Sequence, residues 1–261
     1  MLSITSAQVD AFLVLYAFPL ARVLALMSTA PVFNDLGVPR RIRLVIGIAI
    51  TVAIAQVLPA STMVEPGSYV GIATFIQQIL IGTGMGMSMR VVFSALDVAG
   101  SIIGLEMGLS FATFFDPQSQ GQTSVVAQLM TLLATLIFLA LNGHLLLLDV
   151  LVRSFEWLPI SSHVLAAKGW QVLVHGGGIM FAAGLLISLP IVAALLITNI
   201  ALGILTRSAP QLNLFSLGFP ITSTVGIVLL LVSLNAFAPA LQNLFDQGFD
   251  LLAMVIKAWA G

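Results

Sequence analysis

The sequence predicts an all-α integral membrane protein, and three observations lead to this fold class. Hydrophobic residues make up 59% of the chain and charged residues only 7%, with a mean hydropathy of +1.13. Since an ordinary soluble domain is about one quarter charged, so apolar a chain cannot cover a water-facing surface of its own. Several apolar runs reach the roughly 20 residues that a helix needs to cross a bilayer. The alternating pattern of a membrane β-barrel does not appear.

Composition also excludes several classes of function. A net charge of −1, without a long basic run, gives no nucleic-acid-binding surface. With no cysteine, the chain has no disulfide, no thiolate metal site and no thiol nucleophile. His144, His163 and His175 are too dispersed for a metal site, and the phosphate-loop, HExxH and GxSxG motifs are missing. We therefore predict that the chain is not an enzyme and holds no cofactor or metal.

Short polar segments separate the apolar runs. Residues 1–10 lack the basic start of a cleavable signal, so we expect the first run to stay in the mature protein. Residues 149–175 form the most hydrophilic connection, and the tail 235–261 has the pattern of an amphipathic helix at a membrane interface. The predicted apolar runs are 11–33, 44–58, 69–89, 90–115, 125–148, 176–205 and 212–234.

Positive charges give a first topology. Arg40, Arg41 and Arg43 predict a cytoplasmic turn, which leaves the N-terminus outside. If every later run crosses the membrane, Arg207 falls outside, in weak conflict with the same rule. A non-spanning run would remove the conflict, because irregular backbone is tolerated at membrane depth where protein or a water-filled cavity surrounds it. The polar break FDPQSQGQ is the candidate for such a segment.

Two groups of glycines indicate how the helices pack. Gly100, Gly104 and Gly108 are four residues apart and share one helix face, a spacing that lets two helix backbones approach closely. We therefore predict that they are helix-packing residues. The glycines at 82, 84 and 86 are two residues apart and form no stripe, which is compatible with a deformable helix in a gate or with plain close packing.

Four ionisable residues lie within or beside apolar runs, namely Arg22, Arg90, Asp97 and Glu106. A charge at membrane depth costs at least about 2.5–3.5 kcal/mol, so it normally faces a partner or a water-filled path. Buried charge pairing between helices or subunits is one interpretation, and the coupling sites of a transporter are the other. Arg90 can also reach the interface from a helix end.

The stretch GLSFATFFDPQSQGQTS, residues 108–124, combines bulky rings with a break in the helical pattern. Proline ends a helix, and the glycine and small polar residues that follow permit a flexible loop. Rings on a mobile loop can obstruct a pore, but composition alone favours an ordinary solvent-exposed helix connection. The candidate plug residues are Phe111, Phe114, Phe115, Asp116, Pro117 and Gly121.

Five blocks together resemble the FliR/SctT component of the type III export gate of flagella and injectisomes, with wording closer to the flagellar branch. They extend from the first apolar run to near the C-terminus, so the resemblance covers essentially the whole chain. The blocks are PLARVLALMSTAPVFNDLGVPRRIRL, QQILIGTGMGMSMR, GLEMGLSFATFFDP, FLALNGHLLLL and RSAPQLNLFSLGFPIT.

The resemblance implies a specific architecture and set of partners. It implies helical hairpins, with a FliP-like unit at 1–175 that carries a lumenal plug near 108–124, followed by a FliQ-like hairpin and tail at 176–261. FliP-like and FliQ-like subunits, FlhA-like and FlhB-like export proteins, membrane lipid and unfolded export substrates are the expected partners. The expected location is the flagellar basal body in the bacterial inner membrane.

Two functions follow from these observations. The first is a non-catalytic, pore-forming subunit of the flagellar export gate, which conducts unfolded substrates and plugs the closed channel. The alternative is a stand-alone, proton-coupled secondary transporter that uses Glu106 and Asp97 as coupling sites near broken helices. We see no paired, interrupted helices in corresponding halves of the sequence, which counts against the transporter.

Overall fold

A computed structural model describes residues 10–34, 39–56, 65–109, 124–161, 164–208 and 214–261, and every element of secondary structure in these ranges is helical. A π-helical turn, Leu13–Ala17, leads into the first α-helix. The α-helices are α1 (Phe18–Thr29), α2 (Pro31–Asn34), α3 (Arg40–Ala55), α4 (Tyr69–Glu106), α5 (Val125–Ala140), α6 (Gly143–Trp157), α7 (Ala167–Ser208) and α8 (Leu214–Ala260).

Four helices in the described part of the chain are long and apolar enough to cross a membrane. They are Asp10–Thr29, Tyr69–Glu106, Ala167–Ser208 and Gly218–Ala260, of 20, 38, 42 and 43 residues. At about 1.5 Å per residue, the last three exceed the roughly 30 Å hydrocarbon core by a wide margin. The chain is therefore an all-α integral membrane protein, as predicted.

The predicted run 125–148 is not one helix. It divides into α5 and α6, which are bent by 68° across a short break. Asn142 occupies the left-handed region there, with φ of 56°, and Gly143 begins the next helix. Asn-Gly is a turn-forming pair because both residues tolerate the left-handed backbone. The sequence therefore contained a signal for the break, but the apolar composition of the run led to the prediction of one continuous segment.

The chain forms two compact units that alternate along the sequence. The first unit contains Met1–Arg90, Asn142–Gly176 and Gln247–Gly261, and the second contains Val91–Leu141 and Gly177–Asp246. The long helices α4, α7 and α8 each contribute residues to both units. The proposed division at residues 175 and 176 into FliP-like and FliQ-like portions stays a prediction.

The first unit has its core among α1, α4, α6 and the end of α8. Trp259 is 2% exposed, and its ring lies against Gly84 and Gly169, where a Cβ would collide with it. The neighbouring Trp170 ring meets it edge-on at 5.0 Å between centroids. Thus the apolar side of the C-terminal tail, which we expected at a membrane interface, packs inside the protein.

The second unit has an aromatic centre. The rings of Phe93, Phe138 and Phe245 lie 5.1–5.9 Å apart, and each side chain is at most 3% exposed. These residues come from α4, α5 and α8, so three segments distant in sequence meet at one cluster. Aromatic pairs in tilted or edge-on arrangements add to the stabilisation that burial alone provides.

Candidate functional site

Arg22 is the most deeply buried ionisable group in the described part of the chain, at 0% exposure. Its Nε and Nη2 both donate to Oε1 of Gln78, the former at 2.9 Å. Nη1 donates to the carbonyl and the hydroxyl oxygen of Ser154, at 3.0 Å each, and Nη2 also donates to the Leu158 carbonyl at 2.9 Å. All five N–H groups of the guanidinium are therefore bonded, and every acceptor is neutral.

Close helix packing brings these groups together. A Cβ on Gly82 would collide with the carbonyl of Arg22, so α4 approaches the backbone of α1 at this point. The Phe155 ring on α6 lies under the guanidinium, 4.0 Å from its central carbon to the ring centroid. The arginine thus ties three helices of the first unit together through hydrogen bonds and a cation–π contact.

The other ionisable residues that the sequence singled out lie on α4. Asp97 accepts a hydrogen bond from the Thr131 hydroxyl at 2.8 Å, whereas Glu106 accepts a long one from the Asn199 amide at 3.4 Å. Arg90 is exposed. Among the described residues, neither these three nor Arg22 takes part in an ion pair, and the ion pair found there joins Arg153 and Asp149.

The glycines at the end of α4 have different environments. A Cβ on Gly100 would collide with the backbone N and Cα of Ala127, and one on Gly104 would collide with the Ser124 hydroxyl. Gly108 lies beyond the helix, in a turn, at φ of 80°. Because α4 ends at Glu106, Gly108 follows the helix in the left-handed conformation that suits glycine.

The candidate plug residues, Phe111, Phe114, Phe115, Asp116, Pro117 and Gly121, lie outside the described residues, but both flanks of their segment are described. On one flank, the Leu109 amide donates to the Gly104 carbonyl at 3.0 Å. On the other, the Ser124 hydroxyl donates to the Gly100 carbonyl at 3.4 Å. Residues 109 and 124 are thus both attached to the last two turns of α4.

The carbonyl of Met107 is a second attachment point at the end of α4. The hydroxyls of Thr222 and Ser223 on α8 donate to it at 3.1 and 3.3 Å. The last carbonyls of a helix lack partners within that helix, so these hydroxyls satisfy a group that otherwise requires water. Gly226 also faces Met107, whose side chain is 1% exposed.

Sequence reasoning missed Gln78, Ser154, Thr222 and Ser223. Gln78 carried a usable signal, because it is a polar residue inside an apolar run, as is Arg22. Serine and threonine carried none, since they are common in membrane helices and often bond their own backbone.

Comparisons with known proteins agree over nearly the whole chain. The model of the family described as "Bacterial export proteins, family 1" matches residues 13–248. The chain is 46% identical to the flagellar biosynthetic protein FliR of Escherichia coli (strain K12), over 98% of each chain. It is 45% identical to the protein of the same name from Pectobacterium carotovorum subsp. carotovorum, over 92% of each, and 34% identical to that of Buchnera aphidicola subsp. Schizaphis graminum, over 95% of each. The chain therefore belongs to the family of bacterial export proteins that includes the flagellar biosynthetic protein FliR.

Proposed function

We propose that this chain is a pore-forming core subunit of the flagellar type III protein export gate. It conducts unfolded substrates across the bacterial inner membrane and plugs the channel while the gate is closed. The observation that carries this proposal is the family match over residues 13–248, in a chain with four membrane-length helices among its described residues. A chain with such helices suits a subunit of a membrane complex better than a soluble export factor.

The surroundings of the buried polar groups support a structural subunit over a coupled transporter. A proton-coupling site needs an ionisable group that changes its charge along a path to water. Arg22 has all five N–H groups bonded to neutral acceptors, and Asp97 is bonded to the hydroxyl of Thr131. These contacts suit groups that hold helices together, so we assign the energy source of export to other chains.

The plug assignment rests on the resemblance and is supported by the flanks of the segment. Phe111, Phe114 and Phe115 supply bulk, and glycine at position 121 adds backbone freedom. Attachment of residues 109 and 124 to the same two turns of α4 suits a loop that projects from one place and returns to it.

The proposed partners follow from the same family. We propose that the chain assembles with FliP-like and FliQ-like subunits, and then with FlhA-like and FlhB-like export proteins, in the basal body. Many large apolar side chains on α7 and α8 are exposed in the single chain, including Ile197 at 70% and Val232 at 71%. Exposed apolar area on this scale is buried by lipid or by other subunits.

Deleting residues 114–121 tests the proposal. We expect the tagged deletion variant, co-expressed with its genomic neighbours, to co-purify with FliP-like and FliQ-like proteins as the unmodified chain does. We also expect the bacterial membrane to become permeable to small solutes, because the obstruction is gone while the helices are intact. An assembled deletion variant in a tight membrane would contradict the plug, and a chain that purifies without partners would contradict the gate subunit.

A further inference from the structure

Three residues of α8 contact the point where α4 ends. The hydroxyls of Thr222 and Ser223 donate to the Met107 carbonyl at 3.1 and 3.3 Å. A Cβ on Gly226 would lie only 2.5, 2.7 and 2.8 Å from the Cγ, Sδ and Cε of Met107, so only glycine accommodates that side chain as it stands. We call Met107 together with Thr222, Ser223 and Gly226 the clasp.

The clasp differs from ordinary helix packing because its side chains hydrogen-bond the carbonyl at a helix end. Thr222 divides its single O–H among the Met107 carbonyl and two carbonyls of its own helix, those of Gly218 and Phe219, at 3.1 Å each. Both hydroxyls have ready partners within their own helix or in water, so their hydrogen bonds survive if α4 and α8 separate. The thioether of Met107 is flexible and adapts to new surroundings. The cost of separating the clasp therefore falls mainly on the Met107 carbonyl, which must take water in place of the two hydroxyls.

We propose that the clasp positions the end of α4 in the closed gate and that its separation is a required step in export. The proposal rests on the proposed function, since it gives a mechanical role to residues at the start of the segment that we assign as the plug. Thr222, Ser223 and Gly226 are positioning residues in this scheme, and they act through Met107. Their effect is on the ratio of closed to open gates.

The first test weakens the clasp. The double variant Thr222→Val/Ser223→Ala removes both hydroxyls and keeps the approximate volume of the side chains. Because a hydrogen bond in such a site contributes modestly, we expect the closed-to-open ratio to fall about fivefold, measured as a rise in small-solute permeability of cells with the assembled gate. Thr224→Val is the matched control, since the exposed Thr224 hydroxyl bonds the Pro220 carbonyl of its own helix at 2.7 Å.

The second test locks the clasp and does not depend on leakage. The chain has no cysteine, so Met107→Cys/Gly226→Cys introduces a pair with no competing thiol in this chain. The atoms are close enough for a disulfide, which diamide forms by taking two electrons and two protons from the two thiols. We expect export of flagellar substrates to stop after oxidation and to recover after reduction, whereas the unmodified, cysteine-free chain exports under both conditions.

The outcomes separate the clasp from the plug. A cross-linked gate that exports at the rate of its reduced form overturns the clasp, as does a pair that forms no disulfide in the assembled complex. If the double hydroxyl variant fails to assemble, the cross-link alone decides. If deletion of residues 114–121 makes the membrane leak but the cross-linked gate still exports, the plug is supported and the clasp is overturned. If the deletion leaves the membrane impermeable but the cross-link blocks export reversibly, the clasp is supported and the plug is overturned.

Discussion

At the scale of single residues, the main problem is how a fully buried arginine is tolerated. Removing a guanidinium from water costs several kcal/mol, and a nearby carboxylate usually offsets that cost. Here the offset comes from four neutral groups, the Gln78 amide, the Ser154 carbonyl, the Ser154 hydroxyl and the Leu158 carbonyl, together with the Phe155 ring. Because these groups are on α4, on α6 and at the residue that follows α6, the side chain is stable only when both helices are in place.

Replacing Arg22 should therefore destabilise the first unit. Arg22→Met leaves Oε1 of Gln78, the Ser154 hydroxyl oxygen and the Leu158 carbonyl without the arginine donor, whereas the Ser154 carbonyl still accepts from the Leu158 amide. We expect a loss of about 2–4 kcal/mol in resistance to unfolding in detergent. Gln78→Leu in the same chain should recover part of that loss, since one orphaned acceptor is removed. Arg153→Met is the control, because its pairing with Asp149 is more than half exposed and contributes little. Strictly additive effects of the Arg22 and Gln78 changes would contradict the shared site.

The sequence indicated that Arg22 is buried against partners, but it did not identify those partners. A charge among apolar residues signals a buried group, yet the acceptors come from positions 78, 154 and 158, more than 50 residues away. Two of them include backbone carbonyls, which every residue has and no pattern marks. Partners of this type depend on how helices meet, and that depends on packing throughout the unit.

At the scale of elements, the effect of a glycine on helix packing depends on which atoms lie where its Cβ would be. Gly100 faces backbone atoms of Ala127, Gly104 faces the rotatable hydroxyl of Ser124, and Gly203 has nothing within 4 Å in the single chain. A backbone neighbour cannot move without shifting its helix, whereas a hydroxyl can turn away. The three sites therefore form a graded series.

Alanine substitutions should follow that series. We expect Gly100→Ala to destabilise the isolated chain by about 1–3 kcal/mol through overpacking, and Gly104→Ala by less. Gly203→Ala should stabilise it by about 0.5–1 kcal/mol, because alanine favours the helix and meets no neighbour. Unfolding of the purified variants by a denaturing detergent measures the order. Equal effects at positions 100 and 203 would contradict close packing of α4 on α5.

Element boundaries were harder to predict than element type. The helical character of the described ranges follows from the apolar runs, but the division at Asn142 was hidden in a run chosen for its hydropathy. For the tail, the helix was predicted but its surroundings differ from those expected. Its amphipathic pattern indicated an interface, but hydropathy cannot distinguish lipid from protein, and Gly84 and Gly169 provide the space that receives Trp259.

At the scale of the whole molecule, the length of three helices limits span counting, which gave a conflict at Arg207. α4, α7 and α8 are each much longer than a bilayer requires and contribute to both units. Hydropathy alone therefore cannot say which part of each helix lies in lipid. The family, in contrast, was predictable from the sequence, because its blocks are distributed over the whole chain and need no knowledge of the fold.

The two functional hypotheses differ most clearly in what the isolated chain does. A gate subunit in liposomes, without partners, should show no saturable, proton-coupled uptake, because its path exists only in the assembled complex. Within that complex Glu106→Gln keeps an acceptor oxygen for the Asn199 amide, so we expect export within about twofold of the unmodified chain. Glu156→Gln, at an exposed position on α6, is the matched control. A transporter predicts the reverse, namely uptake by the isolated chain that Glu106→Gln abolishes while Glu156→Gln leaves it intact.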